Sequence, residues 1–130
     1  AAPSNPLVCQ KEISLKRLLE ERFIEREPGS GTQLAAEQMF KEHDLKTRPF
    51  LKLGSSEAIK QAVMAGLGVS VLSIHNIRLE LEKQLINILS VQGFPLHRHW
   101  FAAYPSTKSL SLLARSFIEF LVDESEKILL

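Results

Sequence analysis

Phe23-Ile24-Glu25-Arg26-Glu27-Pro28-Gly29-Ser30-Gly31-Thr32 runs from a short apolar segment into a turn punctuated by glycine, and then into a helical pattern. A strand that ends at such a turn leaves backbone N–H groups pointing into one space, with the positive end of the following helix behind them. That arrangement seats a small anion. Downstream, Leu53-Gly54-Ser55-Ser56-Glu57 repeats the junction. Between the two lie Ala36, Met39, Phe40 and His43 at i, i+3, i+4 and i+7, the stripe of a half-buried helix.

Working outward, Ser14 is placed to cap a short helix carrying Leu15, Leu18 and Leu19. Residues 23–26 read as a strand, and Thr32 as the cap of a helix to about residue 43. Pro49 opens a second strand at 50–53, and Ser55 or Ser56 caps a helix with Ile59, Ala62, Val63 and Gly66 inward. Gly66-Leu67-Gly68 turns the chain into a β-branched strand at 69–72. A shorter helix carries Ile74, Ile77 and Leu81. Further strands are expected at 85–89 and 98–104, and a last helix at about 110–126. Strands alternating with helices predict an α/β fold, a doubly wound, mostly parallel sheet. In such sheets ligands gather outside the carboxyl ends of the strands, here 26–32, 54–57 and 73–75.

The chain has 130 residues, 45% hydrophobic and 24% charged, enough for one real core. A net charge of +1 gives no basic field for nucleic acid. No polar-free run is long enough for a membrane span. The opening Ala1-Ala2-Pro3-Ser4-Asn5-Pro6 lacks the marks of a signal peptide, and the single Cys9 builds neither a disulfide nor a zinc site, so a cytoplasmic location is expected.

Enzyme chemistry finds little footing. Gly29-Ser30-Gly31-Thr32 is neither a Walker loop nor a dinucleotide fingerprint, and there is no Gly-x-Ser-x-Gly elbow. His97 and His99 would share one strand face, but nothing nearby completes a metal ligand set, so no metal and no cofactor are expected. His75 lies just past a strand end, where it either meets a ligand or caps a turn. His43 reads as a half-buried packing residue, and Trp100, Phe101 and Tyr104 as a strand's aromatic core. Arg26 and Glu27 either bracket a charged ligand or pair with neighbours. Three readings follow: a sensor of a small anion, a solute-binding component of a transport system, and a small enzyme of phosphate esters.

The two junctions, extended through Ala58-Ile59-Lys60-Gln61-Ala62-Val63-Met64-Ala65-Gly66-Leu67-Gly68-Val69-Ser70-Val71-Leu72-Ser73, and Phe94-Pro95-Leu96-His97-Arg98-His99-Trp100-Phe101-Ala102-Ala103-Tyr104-Pro105, resemble the effector-binding domain of LysR-type transcriptional regulators. Their wording is similar to the group controlling Rubisco-operon and inorganic-carbon genes. The resemblance implies two periplasmic-binding-protein-like (type 2) subdomains with the effector between them. Residues 11–93 would form the second subdomain, and 1–10 with 94–130 part of the first. It implies an effector site of Arg26, Glu27, Gly29, Ser30, Gly31, Thr32, Gly54, Ser55, Ser56, Ser73 and His75, although many members carry proline where Ser73 stands.

The partner it implies is a small anionic metabolite, phosphorylated or carboxylated, such as ribulose bisphosphate, 2-phosphoglycolate or a nicotinamide nucleotide. Promoter DNA would be met only through an N-terminal domain absent from this chain. The apolar faces of the last strand and helix would be covered by a homodimer or a domain-swapped dimer.

Overall fold

The computed structural model describes residues 1–99, 101–107 and 109–129. Three strands form a parallel sheet: β1 (Phe23–Arg26), β2 (Leu51–Leu53) and β3 (Val69–Ser70), in the order β2-β1-β3. β1 sits in the centre because it alone is buried along nearly its whole length. Ile24 registers with Leu51, and Phe23 with Val69.

Alternation along β1 sends Phe23 to one face and Ile24 to the other, so each face needs its own cover. On the Phe23 face lie α1 (Leu15–Leu19) and α2 (Gly31–Glu42), closing a core of Leu7, Ile13, Leu15, Leu18, Ala36, Phe40 and Val69. The Phe23 and Phe40 rings meet edge to face, 5.7 Å apart. Over the Ile24 face lies α3 (Ser56–Met64), whose Ile59, Ala62 and Val63 pack with Ile86. Leu81 of α4 (Arg78–Glu82) joins that cluster from its rim.

The chain leaves β1 through α2 to reach β2 on one side, then returns through α3 to reach β3 on the other. Crossovers in opposite directions place their helices on opposite faces. The doubly wound α/β layer expected from the sequence is therefore present. It opens a crevice at the carboxyl ends of β1 and β2, where the two connections part.

Several local expectations are corrected. Ser30, not Thr32, occupies the N-cap of α2. The shorter helix is two pieces, a 3₁₀ turn at Ile74–Asn76 followed by α4.

Residues 85–89 do not join the sheet. The Asn87 N–H is taken by the Ala1 carbonyl and the Ser90 carbonyl by Ile13 N–H, so this stretch is held by the chain's first residues. Only a single bridge, Ile13 with Val91, forms there.

The chain divides into two compact units, Ala1–Leu96 and His97–Leu130. Residues 1–10 fall in the first unit, with Leu7 fully buried beside Ile13. In the second unit the described part of 98–104 is not a strand. Phe101 is 86% exposed and Tyr104 is exposed too, so they form no aromatic core; Trp100 lies outside the described residues. α5 (Leu112–Leu129) follows, starting later than expected.

Candidate functional site

Three strand exits build the crevice. At the first, Glu27 N–H donates to Leu53 O at 3.2 Å, carrying the pairing of β1 and β2 one residue past the strand. Ser30 N–H then donates to Glu27 O at 3.2 Å, closing a tight turn in which Gly29 has φ +88°. That left-handed conformation is the reason for glycine there. Ser30 ends the turn as the α2 N-cap, and its side chain makes no capping bond. The first-turn amides from Gly31 and Thr32 onward are thus not satisfied by a serine hydroxyl, unlike those of α3.

At the second exit Gly54 leads to Ser55, whose hydroxyl accepts from Ala58 N–H at 3.1 Å. Ser55 is therefore a conventional cap. Ser56, the first residue of α3, turns its hydroxyl back toward the sheet. It accepts from Arg26 Nη1 at 2.7 Å and from Asn76 Nδ2 at 3.2 Å. Asn76 belongs to the third exit, in the 3₁₀ turn that Ser73 opens without a side-chain cap. The Ser56 hydroxyl thus gathers groups from all three exits.

Arg26 and Glu27 pair with each other, one of the two outcomes their sequence left open. Arg26 Nε donates to Glu27 Oε2 at 2.7 Å and Nη2 to Oε1 at 2.8 Å, a side-on fork. The hydrogen bonds hold the Glu27 carboxyl below its ordinary value and push the Arg26 guanidinium further up. Both groups are charged at neutral pH.

Of the sequence-chosen residues, Arg26, Glu27 and Ser56 are joined directly, and Ser73 is brought near through Asn76. Gly29, Ser30, Gly31 and Thr32 line the adjacent turn, and Gly54 and Ser55 form the second. His75 is exposed in the 3₁₀ turn, and His43, expected to be half-buried, is exposed as the C-cap of α2.

Asn76 and Lys60 were not singled out by sequence. Lys60 Nζ lies 2.8 Å from both Glu57 Oε2 and Glu80 Oε1, pinning α4 to α3 next to the Asn76 turn. Glu57 and Lys60 stand at i, i+3 spacing, a visible pair, whereas no spacing announces Glu80.

A small hollow lies between β1 and α2, lined by Glu25, Thr32, Gln33, Glu37, Thr47 and Val71 among others. Arg26 lines it as well, and it has room for about one water molecule. Among the described residues no cluster of His, Cys, Asp or Glu could hold a metal ion, and no helix is long and apolar enough to cross a membrane.

The LysR substrate binding domain family matches residues 1–126. The chain is 44% identical over 128 residues to the HTH-type transcriptional activator CmpR of Synechocystis sp., covering 98% of this chain and 42% of that protein. It is 47% identical over 117 residues to the RuBisCO operon transcriptional regulator of Acidithiobacillus ferrooxidans, covering 90% of this chain and 38% of the relative. The chain therefore spans about two fifths of these relatives' length. Among solved structures, the regulatory domain of Synechocystis CcmR in complex with 2-phosphoglycolate (2-PG) superposes with a TM-score of 0.85 at 40% identity. The match covers 95% of this chain and 59% of that one.

Proposed function

Because the chain belongs to the LysR substrate binding domain family, we propose that it is the effector-sensing region of a bacterial transcription regulator that controls carbon-fixation genes. It binds a small anionic metabolite, phosphorylated or carboxylated, and catalyses nothing. Relatives that are regulators of transcription favour sensing over solute carriage. Promoter DNA would be contacted by a separate helix-turn-helix segment of the whole protein. Residues 11–93 would form one subdomain, and 1–10 with 94–130 part of the other.

One observation carries this reading: Arg26, Ser56 and Asn76 converge at the point where the α2 and α3 connections part, beside an α2 start without a side-chain cap. A cation and N–H donors meeting at the topological switch point of a parallel sheet form an anion site. Gly29, Ser30, Gly31 and Thr32 supply amides and hydroxyls from one side, and Gly54, Ser55, Ser73 and His75 border the other. The related regulatory domain bound to 2-phosphoglycolate supports that chemical class. An effector that prefers one cleft geometry would shift the assembly bound to DNA. A homodimer, or a dimer that exchanges its C-terminal part, is the assembly we favour.

Calorimetric titration of the intact protein with 2-phosphoglycolate, with and without Arg26→Gln, tests the site. Removing one charge-assisted, two-bond contact should weaken binding by roughly tenfold or more. Unchanged affinity in the variant would place the effector elsewhere.

A further inference from the structure

The Arg26 fork is filled from within the chain. A guanidinium recognises a carboxylate or phosphate best through parallel bonds from Nε and one Nη. Here both of those bonds go to Glu27, at 2.7 and 2.8 Å. The remaining Nη1 is spent on Ser56 at 2.7 Å.

The pairing is also unusual in its origin. Adjacent residues in a strand point to opposite faces. Glu27 reaches its neighbour because it has left the strand and begun the turn that Ser30 N–H closes onto its carbonyl. The two partners differ in freedom: the Arg26 side chain is 18% exposed and anchored to Ser56, whereas that of Glu27 is 40% exposed. Of the two, Glu27 is the one that can swing out to water.

We propose that Glu27 sets the affinity and selectivity of the anion site by occupying the Arg26 fork as an internal stand-in for the ligand's acidic group. The inference rests on the function proposed above and adds to it a residue that opposes binding. A ligand must supply an anionic group with two acceptor oxygens to displace this carboxylate, which a neutral sugar or a lone hydroxyl cannot do. Apparent affinity is reduced by the fraction of molecules in which the fork is open. The turn with Gly29 at φ +88° holds Glu27 close enough to return when the ligand leaves.

The test is calorimetric titration of the intact protein and of its Glu27→Gln variant with inorganic phosphate and with 2-phosphoglycolate at one fixed low salt. Glutamine keeps the size and removes the charge, so both probes should bind roughly three- to tenfold more tightly. The thermal midpoint should hardly move, since an exposed ion pair contributes little to stability. The gain should vanish when Glu27→Gln is made in an Arg26→Gln background.

Equal or weaker binding by Glu27→Gln, with the parent protein binding normally, overturns this inference and leaves the proposed function standing. A gain that persists without Arg26 also overturns it, because it would reflect net charge rather than the fork. Failure of all the proteins to bind either probe sinks the site itself.

Discussion

Arg26 Nη1 donates to Ser56 Oγ at 2.7 Å, so the end of the central strand is tied to the first residue of a helix from the next crossover. The bond spans the crevice between two connections that run to opposite faces of the sheet. It fixes the cation at the switch point of the sheet, where open α/β sheets commonly host ligands.

Ser56→Ala and Ser55→Ala should therefore differ in kind. Each removes one hydroxyl from the same turn. Ser55 caps α3 through Ala58 N–H, so its loss should cost about 1 kcal/mol of stability and little affinity. Ser56 orients Arg26 and Asn76, so its loss should cost a similar ~1 kcal/mol and weaken anion binding severalfold as well. Urea denaturation and calorimetry on both variants separate the roles. Equal affinity losses would mean that the Arg26–Ser56 bond does not matter to the ligand.

Gly68 is fixed by a close backbone approach. A Cβ at this position would run into the Arg22 carbonyl oxygen and lie 3.0 Å from its carbon. That same oxygen accepts the Val69 N–H at 3.0 Å, the bond that brings β3 to β1. Gly68→Ala should destabilise by more than about 2 kcal/mol, with a clear fall in Tm. Gly54→Ala, in the crevice turn, meets nothing within 4 Å and should stay within about 0.5 kcal/mol of the parent. A tolerant Gly68 would mean that β3 can shift along the sheet.

The central layer was legible because its signals are local. β1 occupies residues 23–26 as its pattern predicts, Ser14 caps the helix it announces, and of the two serines offered for α3 it is Ser55 that caps. Apolar content misled at 85–89, where Ile86 is buried but Leu85 and Ile88 are exposed. Asn87 pairs with Ala1, and the adjoining Ser90 with Ile13, both more than seventy residues away in sequence, and no periodicity encodes them. The same holds at the site. Glycine, serine and arginine at strand ends could be read directly. The choice of Glu27 as the partner of Arg26, and the arrival of Asn76 at Ser56, depend on how two turns meet in space.

The Glu57–Lys60–Glu80 cluster should leave a signature in acid. Hydrogen bonds from Lys60 hold both carboxyls below their ordinary 4.5, and bonds to Glu57 and then Glu80 raise Lys60 above 10.5. Carboxyls depressed in the folded state contribute stability above 4.5 that disappears as pH falls through their lowered values. The raised lysine contributes below 10.5 and is lost only as pH climbs past its folded value. The cluster's contribution is therefore level across neutral pH. The Tm gap between the parent protein and Lys60→Met should stay constant down to about pH 5 and narrow below it. A gap that widens in acid would contradict the cluster as described.

The second unit yields the last prediction. On α5, Leu113, Phe117 and Phe120 follow at i, i+4 and i+7, one stripe of a helix. They are 82%, 58% and 53% exposed, with Leu112 and Val122 also open to solvent. An isolated exposed leucine is ordinary, but a continuous stripe of this size on one helix drives association in water. The chain on its own should therefore sediment as a dimer or larger at concentrations on the order of tens of micromolar, with a concentration-dependent average mass. Leu113→Glu combined with Phe117→Glu puts two charges in the stripe and should return it to a monomer without altering the melting of the first unit, whose core holds neither residue. A monomeric parent chain at that concentration would show that the stripe is not a self-association surface.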